Sequence, residues 1–183
     1  MTSVLIVGYG SIGERHTRNL RQLGITRLYV CDPDSSRREH ASKTFDAVTF
    51  SNFEEAITSC LPTAVAICTP PDMHVPQAID SLSRGAHVFV EKPLSNDLQR
   101  IDELLREAVE GNKIIQIGYN WRFSRSLKKV ESLLKSGKIG RVLSARAELG
   151  QYLPDWRPSQ DYRQSYTADA SRGGGIILDS THE

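Results

Sequence analysis

The chain has too few cysteines to be stapled and too little excess charge to be drawn to a polyanion. Its three cysteines, Cys31, Cys60 and Cys68, are odd in number and lie in apolar runs, with no CxxC pair and no histidine cluster of metal-ligand spacing. A disulfide scaffold and a cysteine-built metal site are thereby set aside, and a reducing cytoplasm is the expected compartment. Lysine and arginine number 23 against 22 acidic residues, so no overall field attracts nucleic acid or an anionic membrane. No apolar run approaches the roughly 20 residues of a membrane-spanning helix. The apolar start at residues 4–7 runs into glycines without a basic leader or a small-residue cleavage site. What remains is ordinary globular composition, 39% hydrophobic and 25% charged, in a length that suits one domain with part of a second.

Short β-branched runs alternate with longer amphipathic segments, the pattern of parallel strands joined by crossover helices. Strands are expected at 3–7, 27–31, 47–50, 64–68, 86–90 and 113–117. Helices are expected at 11–23, 35–45, 53–60 (capped by Asn52), 73–84 and 97–110. The strands are nearly continuous in apolar residues, as where helices cover both faces of a sheet. This gives an α/β fold, a doubly wound parallel sheet over residues 1–120. Beyond it the texture changes, with a helix at 124–135, a long alternating strand at 141–150, a polar, aromatic stretch to 172, three glycines, and the first turns of a helix at 176–183. Residues 121–183 are thus expected to open an α+β domain with an antiparallel sheet, cut short at the chain end.

Gly8-Tyr9-Gly10-Ser11-Ile12-Gly13 follows the first strand and opens the first helix. In that context Gly8 permits a tight turn, Gly10 lets a pyrophosphate approach the backbone, and Gly13 allows close helix–strand packing. A plain glycine turn is the alternative, and the strand, the helix and a downstream acid together favour dinucleotide binding. That acid is Asp32, at the end of the second strand, where a carboxylate accepts from the ribose hydroxyls of NAD. Arg37 and Arg38 lie just downstream and suit a 2′-phosphate, so NAD is expected and NADP stays open. Thr69, Pro70 and His74 follow the fourth strand at the carboxyl edge and are candidates for the cofactor wall; a proline-rich turn with a packing histidine is the alternative. Glu91-Lys92-Pro93 follows the fifth strand at the same edge. Lys92 has the donors to polarise a substrate hydroxyl, or is a surface lysine.

These segments, with Gly173-Gly174-Gly175, resemble the glucose-fructose oxidoreductase and inositol dehydrogenase family (Gfo/Idh/MocA) in order and spacing along the whole chain. The resemblance implies that Lys92 assists proton movement on the substrate hydroxyl and that Glu91 lines the cofactor pocket. It also implies an aspartate and a histidine one helical turn apart after the triple glycine. Asp179 matches the aspartate; His182 stands three residues on instead of the usual four, with Glu183 in the fourth place. Both spacings share a helix face, and His182 is the expected base because imidazole titrates near neutral pH. Asn120 and Arg122, in Gly118-Tyr119-Asn120-Trp121-Arg122-Phe123, match a segment that lines the family's cleft and suit substrate hydroxyls or a carboxylate. Trp121 and Phe123 are expected to join the two domains. The stretches 152–158 and 161–163 resemble a loop of members from polysaccharide and nucleotide-sugar gene contexts.

The implied reaction is hydride transfer at a sugar, nucleotide-sugar or cyclitol carbon with NAD(P), with no metal. The partner is then a small polyol, and association with another copy or chain would cover apolar faces left by a short second domain. Two further readings stay open: a non-catalytic dinucleotide-binding subunit, and a sugar hydrolase or lyase that uses NAD transiently.

Overall fold

The computed structural model describes residues 2–148, 150, 152–156, 161–175 and 177. Its sheet is built from β1 (Ser3–Val7), β2 (Arg27–Cys31), β3 (Val48–Phe50), β4 (Ala64–Ile67), β5 (His87–Val90) and β6 (Ile115–Ile117). The crossover helices are α1 (Ser11–Gln22), α2 (Ser35–Phe45), α3 (Phe53–Cys60), α4 (Pro71–Ser83) and α5 (Ile101–Glu110). All strand pairs are parallel, in the order β3-β2-β1-β4-β5-β6. This is the doubly wound Rossmann arrangement, whose order reverses between β1 and β4.

The apolar runs form this sheet because alternate residues feed two separate cores. Leu5 and Val7 of β1 join Val65, Ile67, Val88 and Val90 under α3, α4 and α5. Val4 and Ile6 point the other way, to Leu28, Val30 and the α2 residues Ala41 and Phe45. Every β1 residue is buried, as a central strand covered on both faces requires. Local chemistry sets the helix starts. The Asp34 side chain accepts from the Ser36 amide at 2.8 Å, and Asn52 caps α3 by accepting from the Glu55 amide at 3.1 Å.

Two glycines fix how α1 meets β1. Gly8 has a φ of +86°, and a Cβ there would lie 2.8 Å from the Cys68 carbonyl oxygen. A Cβ on Gly13 would overlap the Gly8 carbonyl oxygen and press on Ile6. No side chain fits at either point.

Two expectations need correction. The helix expected at 97–110 begins at Ile101. Before it, the Asp97 carboxylate accepts from the Gln99 amide at 2.8 Å and Arg100 has a φ of 59°, so a local side-chain turn outcompetes the first helical turn. The alternating strand expected at 141–150 is absent among its described residues, which are exposed. A strand is a strand only with a ladder partner, and no described segment supplies one. The region after β6 instead holds α6 (Arg125–Lys135), the short α7 (Leu153–Trp156) and single 3-10 turns at Asn120–Phe123, Tyr162–Gln164, Tyr166–Ala168 and Ala170–Arg172. The helix expected at 176–183 lies outside the described residues apart from Ile177. No helix among the described residues is long and apolar enough to cross a membrane.

Gly13→Ala is expected to lower the unfolding free energy by about 2 kcal/mol or more, as overpacking against backbone does. Gly10→Ala, where an added Cβ meets nothing within 4 Å, should change it by less than about 1 kcal/mol. Urea unfolding followed by circular dichroism of the two variants tests the contrast.

Candidate functional site

Register places the site. Cys31, Val7, Ile67, Val90 and Ile117 pair across five strands as one row. The next residue on each strand is Asp32, Gly8, Cys68, Glu91 and Gly118, so the carboxyl edge carries an acid, a glycine turn, a thiol, a second acid and another glycine side by side. The row is held by main-chain bonds that prolong the ladder: Gly8 N–H to the Cys31 carbonyl at 2.8 Å, Cys68 N–H to Val7 at 2.7 Å, Glu91 N–H to Ile67 at 2.9 Å and Gly118 N–H to Val90 at 2.8 Å.

Asp32 is 2% exposed and both its oxygens are in use. Oδ2 accepts from the Tyr9 amide at 2.6 Å and Oδ1 from the Asp34 amide at 2.9 Å. Oδ1 keeps a further lone pair for a hydroxyl donor, whereas Oδ2 also accepts from Arg37 Nη1 at 3.4 Å. Arg38 donates to the Asp32 and Pro33 carbonyls at 2.8 Å. Arg38 is therefore a backbone brace, and Arg37 is the arginine that faces the acid. Gly10 caps α1 without a side-chain acceptor, which leaves the first-turn amides for an external anion. Open space at Gly10 in front of those amides, beside an oriented carboxylate, fits a dinucleotide.

Tyr9 enters this site by its amide alone. Its ring is 3% exposed in the β1–β2–α2 core, and its hydroxyl is buried with no partner among the described residues. That burial pushes the phenol up to about 12. Tyr9, expected among the cofactor-binding residues, thus has its ring in the core and its amide bonded to Asp32. Ser11 is exposed and Ile12 half-buried at the helix start.

The turn after β4 is tied inward. Thr69 Oγ1 donates to Gln77 Oε1 at 2.7 Å, and Pro70 stands just before α4. His74, expected on the cofactor wall, is 1% exposed. Its Nε2 meets the Thr69 carbonyl at 2.7 Å and its Nδ1 the Pro93 carbonyl at 2.8 Å, so the ring stands behind the wall. Burial holds this imidazole below the usual histidine range. Across the gap Glu91 Oε1 lies 2.6 Å from His16 Nε2 on α1, and the His16 ring packs edge-on against Phe89 at 5.0 Å. A Cβ on Gly118 would crowd both Phe89 and Glu91 Oε1. His16 was not legible as a site residue. The only signal for it is its place three residues after Gly13, on the same helix face.

Lys92 is half-buried between Glu91 and Pro93. Asn120 and Arg122 lie in the 3-10 turn after β6 and are exposed; Trp121 and Phe123 are 50% and 65% exposed. The expected apolar joint at these aromatics is not formed among the described residues, and Phe123 instead carries Lys128 Nζ 5.5 Å above its ring. The triple glycine is brought to the same edge. Gly173, at φ +87°, packs on Pro71 and Asn96, Asn96 Nδ2 donates to the Ser171 carbonyl at 3.0 Å, and Arg172 lies 3.6 Å from Asp72. Asp179, His182 and Glu183 lie outside the described residues. Among those described, no group of three His, Cys, Asp or Glu could hold a metal ion.

Of the three free thiols, Cys31 is buried and Cys60 and Cys68 are half-buried. Burial raises Cys31 and Cys60 to about 11, and Cys68 is raised too, with Glu91 adding to the effect. At pH 8 a thiol of pKa about 11 is about one part in a thousand thiolate. Iodoacetamide at pH 8 should therefore label the native chain slowly and the urea-unfolded chain fast at all three positions, read by peptide mass spectrometry.

Residues 2–119 match the family described as "Oxidoreductase family, NAD-binding Rossmann fold" (GFO_IDH_MocA). The chain is 30% identical over 178 residues to the myo-inositol 2-dehydrogenase of Thermotoga maritima, covering 96% of this chain and 50% of that protein. A solved scyllo-inositol dehydrogenase from Lactobacillus casei, with bound NAD(H) and scyllo-inositol, is 27% identical with a TM-score of 0.70, covering 76% of this chain and 42% of the other. An NAD-binding protein from Listeria innocua is 25% identical with a TM-score of 0.74, covering 98% and 51%. The chain spans about half the length of the curated relatives it matches. Its Gly-rich turn, Asp32 and Glu91-Lys92-Pro93 stand on one edge of the matched fold, and the chain belongs to the Gfo/Idh/MocA oxidoreductase family.

Proposed function

We propose that this chain provides the nucleotide-binding part of an NAD(P)-dependent oxidoreductase that acts on a CH–OH carbon of a sugar, nucleotide sugar or cyclitol. In this reading residues 1–120 are the dinucleotide-binding domain and 121–183 open the substrate-side domain. The observation that carries it is the shared edge row, in which Asp32 lies on one side of the Gly8–Gly13 turn and Glu91-Lys92 on the other. Such a row separates an adenosine-ribose site from a chemical site across the topological switch point. Family relatives named as inositol dehydrogenases support the polyol class.

When bound, the nicotinamide supplies the hydride acceptor or donor. The protein does the rest. Amides at the start of α1 hold the pyrophosphate, and Asp32 accepts from the ribose hydroxyls. Its charge disfavours a 2′-phosphate, so NAD is the preferred form; Arg37, beside the acid, is the residue through which NADP would be admitted. Glu91 lines the nicotinamide side. Lys92 Nζ holds the substrate oxygen and shares its proton with His182, which takes it on oxidation and returns it on reduction; Asp179 orients the imidazole. Asn120 and Arg122 bind the remaining hydroxyls or a carboxylate. The roles of Asp179 and His182 rest on the family resemblance.

Calorimetric titration with NADH and NADPH tests the reading. NADH should bind more tightly than NADPH. Gly10→Trp should abolish both with the circular dichroism spectrum unchanged, and Asp32→Ala should weaken NADH by tenfold or more, the scale of a lost hydrogen bond to a charged group. A folded chain that binds neither nucleotide, or a Gly10→Trp variant that binds as the parent does, would sink the proposal.

A further inference from the structure

The residues on either side of Lys92 are each fastened by a histidine from a different helix. Glu91, before it, has its Oε1 2.6 Å from His16 Nε2, and His16 is itself held by the edge of Phe89. Pro93, after it, has its carbonyl 2.8 Å from His74 Nδ1, while the opposite ring nitrogen meets the Thr69 carbonyl at 2.7 Å. The Glu91 carboxylate also receives the Lys92 amide, at 3.3 Å to Oε2. We propose that His16 and His74 are the positioning residues of Lys92, bracing the Glu91-Lys92-Pro93 turn from the α1 side and the α4 side so that its lysine faces the nicotinamide half of the dinucleotide site. The inference rests on the role assigned to Lys92 above.

The bracing follows from what each contact can do. His16 sits on α1, the helix whose start holds the pyrophosphate, so its bond to Glu91 couples the phosphate-binding turn directly to the chemical one. His74 sits in the first turn of α4 and fills the space between the turn after β4 and the turn after β5. Neutral, its ring donates to one of the two carbonyls, and protonated it donates to both. The brace on the Pro93 carbonyl thus needs the proton on Nδ1, as in the Nδ1–H tautomer or the protonated ring. A lysine on a short turn has four rotatable carbons, and fixing both of its neighbours is the economical way to aim it. His74, at 1% exposed, cannot touch a substrate, and His16, whose side chain is 25% exposed, has its Nε2 engaged with Glu91.

The test separates the two halves of the site. ADP-ribose reports the Gly8–Gly13 turn and Asp32 alone; NADH adds the nicotinamide side. In the full chain, His16→Leu and His74→Leu should each weaken NADH by about tenfold and leave ADP-ribose within about twofold. His16→Gln and His74→Gln, which keep one donor, should recover most of the loss. His74→Gln also reads the α4 brace if His74→Leu does not fold. Deuterium uptake by residues 91–95, measured without nucleotide, should rise about tenfold in rate in the Leu variants, with uptake in β1 and β2 unchanged. Equal weakening of ADP-ribose and NADH would make the histidines merely structural and overturn the proposal, as would unchanged uptake at 91–95. Parent protein that binds ADP-ribose but not NADH would count against the role of Lys92 instead, and the uptake measurement would still decide the bracing.

Discussion

The candidate site depends on one constraint: the central strands end in register. A sheet covered on both faces does not fix its register by apolarity alone, because a slip of one residue moves a buried side chain from one core to the other without exposing it. What pins it here is the close approach of backbone to backbone at the switch point. Gly8 and Cys68 are near enough that even a methyl group would not fit between them, and the main-chain bonds from Gly8 to Cys31 and from Cys68 to Val7 carry the ladder one residue past the last assigned pair. Displace that contact and Asp32, Gly8 and Glu91 no longer share a row. Gly13 enforces the same geometry from the helix side, since α1 can rest on the turn only where neither partner has a side chain.

Most of the fold was legible because its signals are local and agree with one another. The bounds of β1, β2, α2 and α3 follow from apolar runs that stop at Gly, Asp or Asn and from capping residues whose bonds the structure displays. The failures are of two kinds. At 97–100 the sequence carries good helix formers, yet a side-chain turn at Asp97 and a left-handed Arg100 start the helix late; propensity cannot see that competition. At 141–148 the alternation is real, but a strand's existence is a property of pairs, and one segment's pattern says nothing about whether its partner is present.

The site divides in the same way. The grouping of Gly8, Gly10, Gly13 and Asp32 at one sheet edge was readable because their spacing follows the strand–turn–helix unit. Tyr9 and His74 were assigned to the cofactor by adjacency, yet both rings are buried, the first in the β1–β2–α2 core and the second between two backbone carbonyls. His16 went unseen for the converse reason: its partner, Glu91, lies 75 residues away, and only the order β1-β4-β5 in the sheet brings the two together. Sequence spacing identifies groups that act on a ligand through their own turn, and it misses groups that act through another element.

The triple glycine extends this logic beyond the sheet. Gly173 can rest on Pro71 and Asn96 because it has no side chain and a positive φ, and the Arg172–Asp72 and Ser171–Asn96 contacts flank that seat. The seat is the start of α4, the same turn whose Thr69 carbonyl receives His74. The position of Gly173 is therefore inherited from the turn that also sets Pro93. Any shift of residues 69–74 would move the Lys92 turn and the triple-glycine turn together, so the two turns share a single mechanical reference.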